Sequence, residues 1–134
     1  MLKISTKKFD PANWPEGVWG TYAPGVRLKI RKLASDVIQE LRKPHVRLEM
    51  EVDKISRRMM PVEKVDSEAF DDALTTYLIE AWEGLGDEEG RLLEDSLASR
   101  KAIMNDLTLR DWIWAFAQSQ ELIAERQKEA EIKN

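Results

Sequence analysis

Asp87, Glu88 and Glu89 stand in a row inside a loop punctuated by Gly84, Gly86 and Gly90. Oxygen-rich loops can hold Ca²⁺, but a calcium loop spaces its ligands at alternate positions around a central Gly and closes on a bidentate Glu. This loop does not offer that spacing, and a solvated turn is the plainer expectation. His45 is the one histidine and follows Pro44, and there is no cysteine. The common zinc centres therefore lack their ligands, and a thiolate nucleophile is excluded. A Ser-His-Asp triad has no Gly-x-Ser-x-Gly turn to expose its serine. The six glycines are scattered among turns, and neither phosphate-cradling glycine pattern occurs. The carboxylate pairs Asp71/Asp72 and Glu80/Glu83 fall on a segment with helical spacing, where charge ordinarily forms the solvated face. No catalytic, metal or cofactor site emerges. The expected class is a non-catalytic protein that works by docking other proteins.

Two groups of residues suit docking. In Val26-Arg27-Leu28-Lys29-Ile30-Arg31 apolar and basic residues alternate, so a strand would present Arg27, Lys29 and Arg31 on one face. A solvated face protecting a sheet edge is the plain reading, and a contact for phosphates or an acidic protein is the sharper one. The second group is aromatic, with five tryptophans among 134 residues. Trp112 and Trp114 on one helix project about 200° apart, so they cannot both face one core. Placing Leu109, Trp112, Ile113 and Phe116 inward leaves Trp114 outward as an anchor for a partner, unless a second layer such as the N-terminal arm covers it. Trp82 is expected in or at the edge of the core.

The elements that must position these residues follow from period and punctuation. Residues 1–16 contain Pro11, Asn13 and Pro15 and read as an extended arm. Residues 17–22 and 26–31 form a hairpin about Ala23-Pro24-Gly25, which suits a type II turn. Ser35 would cap a short helix from Asp36 to Arg42, stopped by Pro44. Val46 to Val52 alternates again, and residues 53–56 can turn the chain into a second strand ending near Val65. A continuous helix through Met60 is the alternative for this stretch. Asp66 or Ser67 would cap a helix on which Phe70, Ala73, Leu74, Tyr77, Leu78 and Ala81 form the apolar stripe, with Gly84 ending it. Asp95 or Ser96 would start another reaching about Asn105. Thr108 would cap the last, with Ile123 extending its stripe and the helix continuing beyond Ala124 as a solvated, frayed, charged tail. The sum is an α+β fold: N-terminal hairpins packed with about four helices in one small domain.

Composition agrees with one core and a solvated exterior, since 43% of residues are apolar and 34% charged. No segment has the length of a signal peptide's apolar run or a membrane span, so a cytoplasmic protein away from membranes is expected. The net charge of −4 hides a polarity along the chain. Residues 1–60 carry 13 Lys and Arg against 7 Asp and Glu, a balance of +6, and residues 61–134 carry 8 against 18, a balance of −10. Pairing of the halves within one molecule comes first; self-association or two different partners are the other readings. The acidic total and a pI near 5.2 argue against nucleic-acid binding, though the basic strand keeps that class open for a small regulator.

The order of elements carries a family likeness. A hairpin ending in Val26 to Ser35 precedes a short helix. Asp66-Ser67-Glu68-Ala69-Phe70 then opens a segment that ends Leu78-Ile79-Glu80-Ala81-Trp82-Glu83-Gly84. An acidic turn leads to Arg100-Lys101-Ala102-Ile103-Met104-Asn105 and on to Leu109-Arg110-Asp111-Trp112-Ile113. This pattern resembles the tail assembly chaperones of long-tailed bacteriophages and prophages over roughly residues 17–125; the arm before Trp14 has no match. The resemblance implies a mixed α+β fold and a non-catalytic role in the cytoplasm of the bacterial host. Such proteins bind the tape measure protein, keep its apolar helices soluble, recruit tail tube subunits, and leave before the virion is complete. Many also exist in a longer, frameshifted form whose extension contacts the tube protein, and the present chain would match the shorter form, with residues 126–134 as its charged tail. A head-tail joining or tail completion protein is the alternative within phage biology.

Overall fold

The computed structural model describes residues 11–132, with side chains through Gln120. Its strands are β1 (Val18–Ala23), β2 (Val26–Ile30), β3 (Val46–Val52), β4 (Met59–Val65) and β5 (Ile79–Glu83). Its helices are α1 (Ser35–Arg42), α2 (Ser67–Leu78), α3 (Leu97–Asn105) and α4 (Leu107–Ile132). The strands make two separate sheets, one ordered β1-β2-β5 and a ribbon of β3 and β4. This is the mixed α+β domain expected, with strands leading into helices. Residues 1–10 of the arm lie outside the described residues, and Pro11–Asn13 makes one 3₁₀ turn.

The first hairpin forms as its alternation dictates. Leu28 and Ile30 point to one side of β2 and are fully buried, together with Tyr77 and Leu78 of α2 and Ile113 and Ala117 of α4. Ile103 of α3 and Val37 and Leu41 of α1 close the same core. On β1, Gly20 lets α4 come close: a Cβ there would lie 2.8 Å from the Phe116 ring and 2.9 Å from that of Trp112. Those two rings stack with centroids 5.1 Å apart, and Tyr22 meets Trp112 edge-on. Stacked rings four residues apart on one helix thus need a strand position without a side chain.

The helix expected to run from residue 67 to Gly84 stops at Leu78, and Ile79–Glu83 forms strand β5 instead. β5 pairs antiparallel with β2, covering what would otherwise be an open edge of a two-stranded hairpin. Ile79, β-branched and fully buried, favours the strand, and Ala81 fitted the helical stripe only by accident of spacing. Arg100 of α3 then satisfies the outer carbonyls of β5, its Nε donating to Ile79 O at 2.7 Å and its Nη2 to Glu80 O at 3.0 Å. Gly84 ends the strand at φ +78°, and a Cβ there would fall 2.0 Å from Gly25 O.

Caps fell partly where expected. Asp66 accepts from Ala69 N and Ser96 from Ser99 N. Ser35 is not a cap; Ala34 holds that position without a side-chain bond. Thr108 is not one either, because α4 begins a residue earlier and the Asp106 carboxylate accepts from Leu109 N at 3.0 Å. Helix α4 runs to Ile132, continuing past Ala124 as expected. The side chains of Ile123 and of the charged tail lie outside the described residues.

Candidate interaction surface

The three hairpin cations share a sheet face, but only Arg27 stays exposed. Its guanidinium lies 4.8 Å from the Trp19 ring centroid and 3.6 Å from Glu83. Lys29 and Arg31 converge instead on Glu80, which the irregular register between β2 and β5 places opposite no partner residue. Lys29 Nζ sits 2.7 Å from Glu80 and 2.9 Å from Glu16. Arg31 donates to Glu80 at 3.1 Å, to Tyr77 O at 2.8 Å and to Pro15 O at 3.0 Å, with the Trp14 ring beneath it. Its side chain is 14% exposed. The open basic face expected of this strand is therefore corrected: two of its three cations fasten the arm and β5 to the sheet.

The charges fit that structural role. Partial burial pushes the Glu80 carboxyl up, but the hydrogen bond from Lys29, the Gly17 N–H and the nearby cations outweigh it and hold the group below its ordinary range. The hydrogen bonds to Glu80 and Glu16 raise Lys29 in turn.

Trp114, expected to stand outward unless a second layer covers it, is half-buried and packs against the core. It lines a groove with Asp71, Asp72 and Leu74 of α2, Met104 of α3 and Arg110 of α4. The covering layer on this side is thus α2 with α3. None of the three hairpin cations lines that groove, so the expected docking residues do not form one surface. Trp82, at the core edge as expected, lies under the Arg100 guanidinium at 5.0 Å. The acidic loop is held by its own backbone, with Asp87 accepting from the N–H groups of Glu89 and Arg91. Among the described residues, no three His, Cys, Asp or Glu side chains are placed to hold a metal ion. No helix there is long and apolar enough to cross a membrane.

The most exposed apolar surface is on the ribbon, which sequence reasoning did not single out. In the register of β3 and β4, Leu48 lies opposite Glu63, Met50 opposite Pro61 and Val52 opposite Met59. Cross-strand partners share a face, so these side chains form one stripe. Leu48 is 71% exposed, Met50 57%, Val52 59% and Met59 57%. The opposite face carries Arg47, Glu49, Glu51 and Lys64, tied by Arg47–Glu49 and Lys64–Glu51 pairs. At the free end, Asp53 organises the turn: its carboxylate accepts from Ile55 N at 2.9 Å and Ser56 Oγ at 3.1 Å. Arg57 takes a left-handed φ of 57° there, and Ile55 projects with 96% exposure.

A lone two-stranded ribbon is marginal in water, and a contiguous apolar face on one marks an interaction site. The period-2 pattern was visible in the sequence, but whether the body would cover the inward face was not. Methionines add adaptability, since their flexible thioethers fit irregular apolar partners. Comparison with family profiles, with curated proteins and with solved structures finds no match to this chain.

Proposed function

We propose that this chain is a non-catalytic docking protein whose β3–β4 ribbon receives an apolar segment of another protein, acting as a tail assembly chaperone of a long-tailed phage or prophage. The observation that carries the docking role is the stripe of Leu48, Met50, Val52 and Met59, exposed on a ribbon whose strands pair only with each other and which α1 touches only at its base, through Arg42 and Glu63. The resemblance over residues 17–125 supplies the partners: the tape measure protein, whose apolar helices need shielding before the tail assembles, and tail tube subunits recruited by a longer, frameshifted form. The site of action is then the cytoplasm of the bacterial host. An amphipathic helix is a suitable occupant, because its apolar stripe matches a flat, two-stranded surface in width.

Co-expression with apolar segments of a cognate tape measure protein tests this. The chain is expected to hold them in solution, and Leu48→Ser with Met50→Ser should weaken their binding on the order of a hundredfold, two apolar side chains' worth of burial. Binding that survives the double substitution would overturn the assignment to the ribbon. Mass spectrometry of purified virions separates the neighbouring reading: a chaperone is absent from the particle, and a head-tail joining or tail completion protein stays in it.

A further inference from the structure

The polarity of charge along the chain has a counterpart in space. At the ribbon tip, Lys54, Arg57 and Arg58 share the turn between β3 and β4 with the projecting Ile55, and none of the three cations has an ion-pair partner among the described residues. The one carboxylate beside them, Asp53, is turned inward onto the backbone N–H of Ile55 and the Ser56 hydroxyl, which hold it below its ordinary range. The tip is a fixed, cationic turn with an apolar point.

On the body, a groove of about 840 Å³ runs between the loop after β5 and the start of α4. Leu85 and Leu93 pack against the core there, above the buried Ile103 and Leu109. Asp87, Glu88, Glu89 and Asp106 line its rim; Asp87 and Asp106 accept backbone N–H bonds and Glu89 pairs with the single cation, Arg91, at 2.7 Å, so the rim is net negative and Glu88 is its open carboxylate. An apolar floor inside an anionic rim is the complement of an apolar point on a cationic turn.

No ion pair joins tip and groove within one chain among the described residues, and the strands of the ribbon pair only with each other. We propose that the occupant of the groove is the ribbon tip of a second copy of this chain, with Ile55 on the leucine floor and Lys54, Arg57 and Arg58 against the acidic rim. The contact is heterologous: each copy offers a tip to one neighbour and a groove to another, so copies join head to tail in a ring or an open series. The stripe of Leu48, Met50 and Val52 lies on the ribbon's flat face rather than its tip and stays open in every copy.

Sedimentation velocity of the purified chain alone tests this without any partner protein. The wild type should form a concentration-dependent series of oligomers, with the association constant falling at least about tenfold between roughly 50 mM and roughly 500 mM salt. A tip variant, Ile55→Ser with Arg57→Asn and Arg58→Gln, keeps a residue tolerant of left-handed backbone at position 57 and should be monomeric. A groove variant, Glu88→Gln with the exposed Ala102→Arg, should be monomeric too. An equimolar mixture of the two should form a 1:1 dimer and nothing larger, because one intact tip and one intact groove remain. Circular dichroism identical to wild type shows that each variant is folded. A monomeric wild type at low salt overturns the proposal, as does a groove variant that still self-associates, or a mixture that stays monomeric.

Discussion

β2 and β3 open on nearly the same residues. Val26-Arg27-Leu28-Lys29-Ile30 and Val46-Arg47-Leu48-Glu49-Met50 alternate apolar and charged positions in step, yet Leu28 is 0% exposed and Leu48 is 71% exposed. The difference is not in the strands. β2 is flanked by β1 and β5 and covered by α2 and α4, whereas β3 pairs only with β4 and contributes no residue to the core. Burial is conferred by what the rest of the chain brings to a strand, and the same pattern without a covering layer becomes a surface for something else.

The sharpest way to break this comparison is to truncate the two leucines in parallel. Leu28→Ala should destabilise the fold by about 3 kcal/mol, from lost transfer and the cavity left beside Ile113 and Tyr77. Leu48→Ala should move it by less than about 0.5 kcal/mol, because its side chain already faces water. Urea denaturation followed by tryptophan fluorescence measures both. Similar losses at the two positions would mean that the ribbon lies against the body in solution.

Next in size is the arginine that completes the covered sheet. Arg100 serves two carbonyls of β5, pairs with Asp95 and lies over Trp82, so its bonds are charge-assisted and largely shielded. Arg100→Met keeps much of the stem's packing but leaves both carbonyls unserved, and should cost about 2 kcal/mol. Hydrogen exchange should show faster opening of the β2–β5 amides while the β3–β4 amides stay unchanged. If the ribbon amides accelerate equally, the two sheets unfold as one unit and the contrast between them fails.

What the sequence made legible is the local half of the contrast. Both hairpins followed from period-2 alternation, and the Asp66 and Ser96 caps from residue type, because each is decided within a few residues. The end of α2 was not legible: Leu78 through Gly84 fits a helical stripe as well as a strand, and only pairing with β2, some fifty residues earlier in the chain, decides between them. The same long-range event moved Glu80 from a supposed solvated helix face to the centre of the Lys29 and Arg31 pairs, and so removed the basic face expected of β2. Trp114 stayed open between an outward and a covered position for a related reason: helical angles place it relative to Trp112 but say nothing of α3 packing beside it. The ribbon stripe was written in Leu48, Met50 and Val52, but whether another element would cover it depends on long-range packing that the period does not carry.

The smallest expected effect separates the two regions by acid. Glu80 in the covered sheet and Asp53 at the ribbon tip are both held below their ordinary values of 4.5 and 3.8. A carboxylate depressed by folding contributes stability that is present above its unfolded value and lost as pH falls through the folded one. Both contributions should therefore be complete at neutral pH and fade only below those ordinary values. Their reach differs. Protonating Glu80 leaves Lys29 and Arg31 beside a neutral group under partial burial, so it should loosen the arm and the β2–β5 pairing together. Protonating Asp53 releases only the turn. Glu80→Gln should accordingly lower the urea midpoint at neutral pH and flatten its fall below pH 4.5, while Asp53→Asn should leave the midpoint nearly unchanged and speed exchange of the Ile55 amide alone. An Asp53→Asn variant with the larger shift in midpoint would show that the tip turn supports the whole fold, and that the ribbon is not the separable surface its exposure implies.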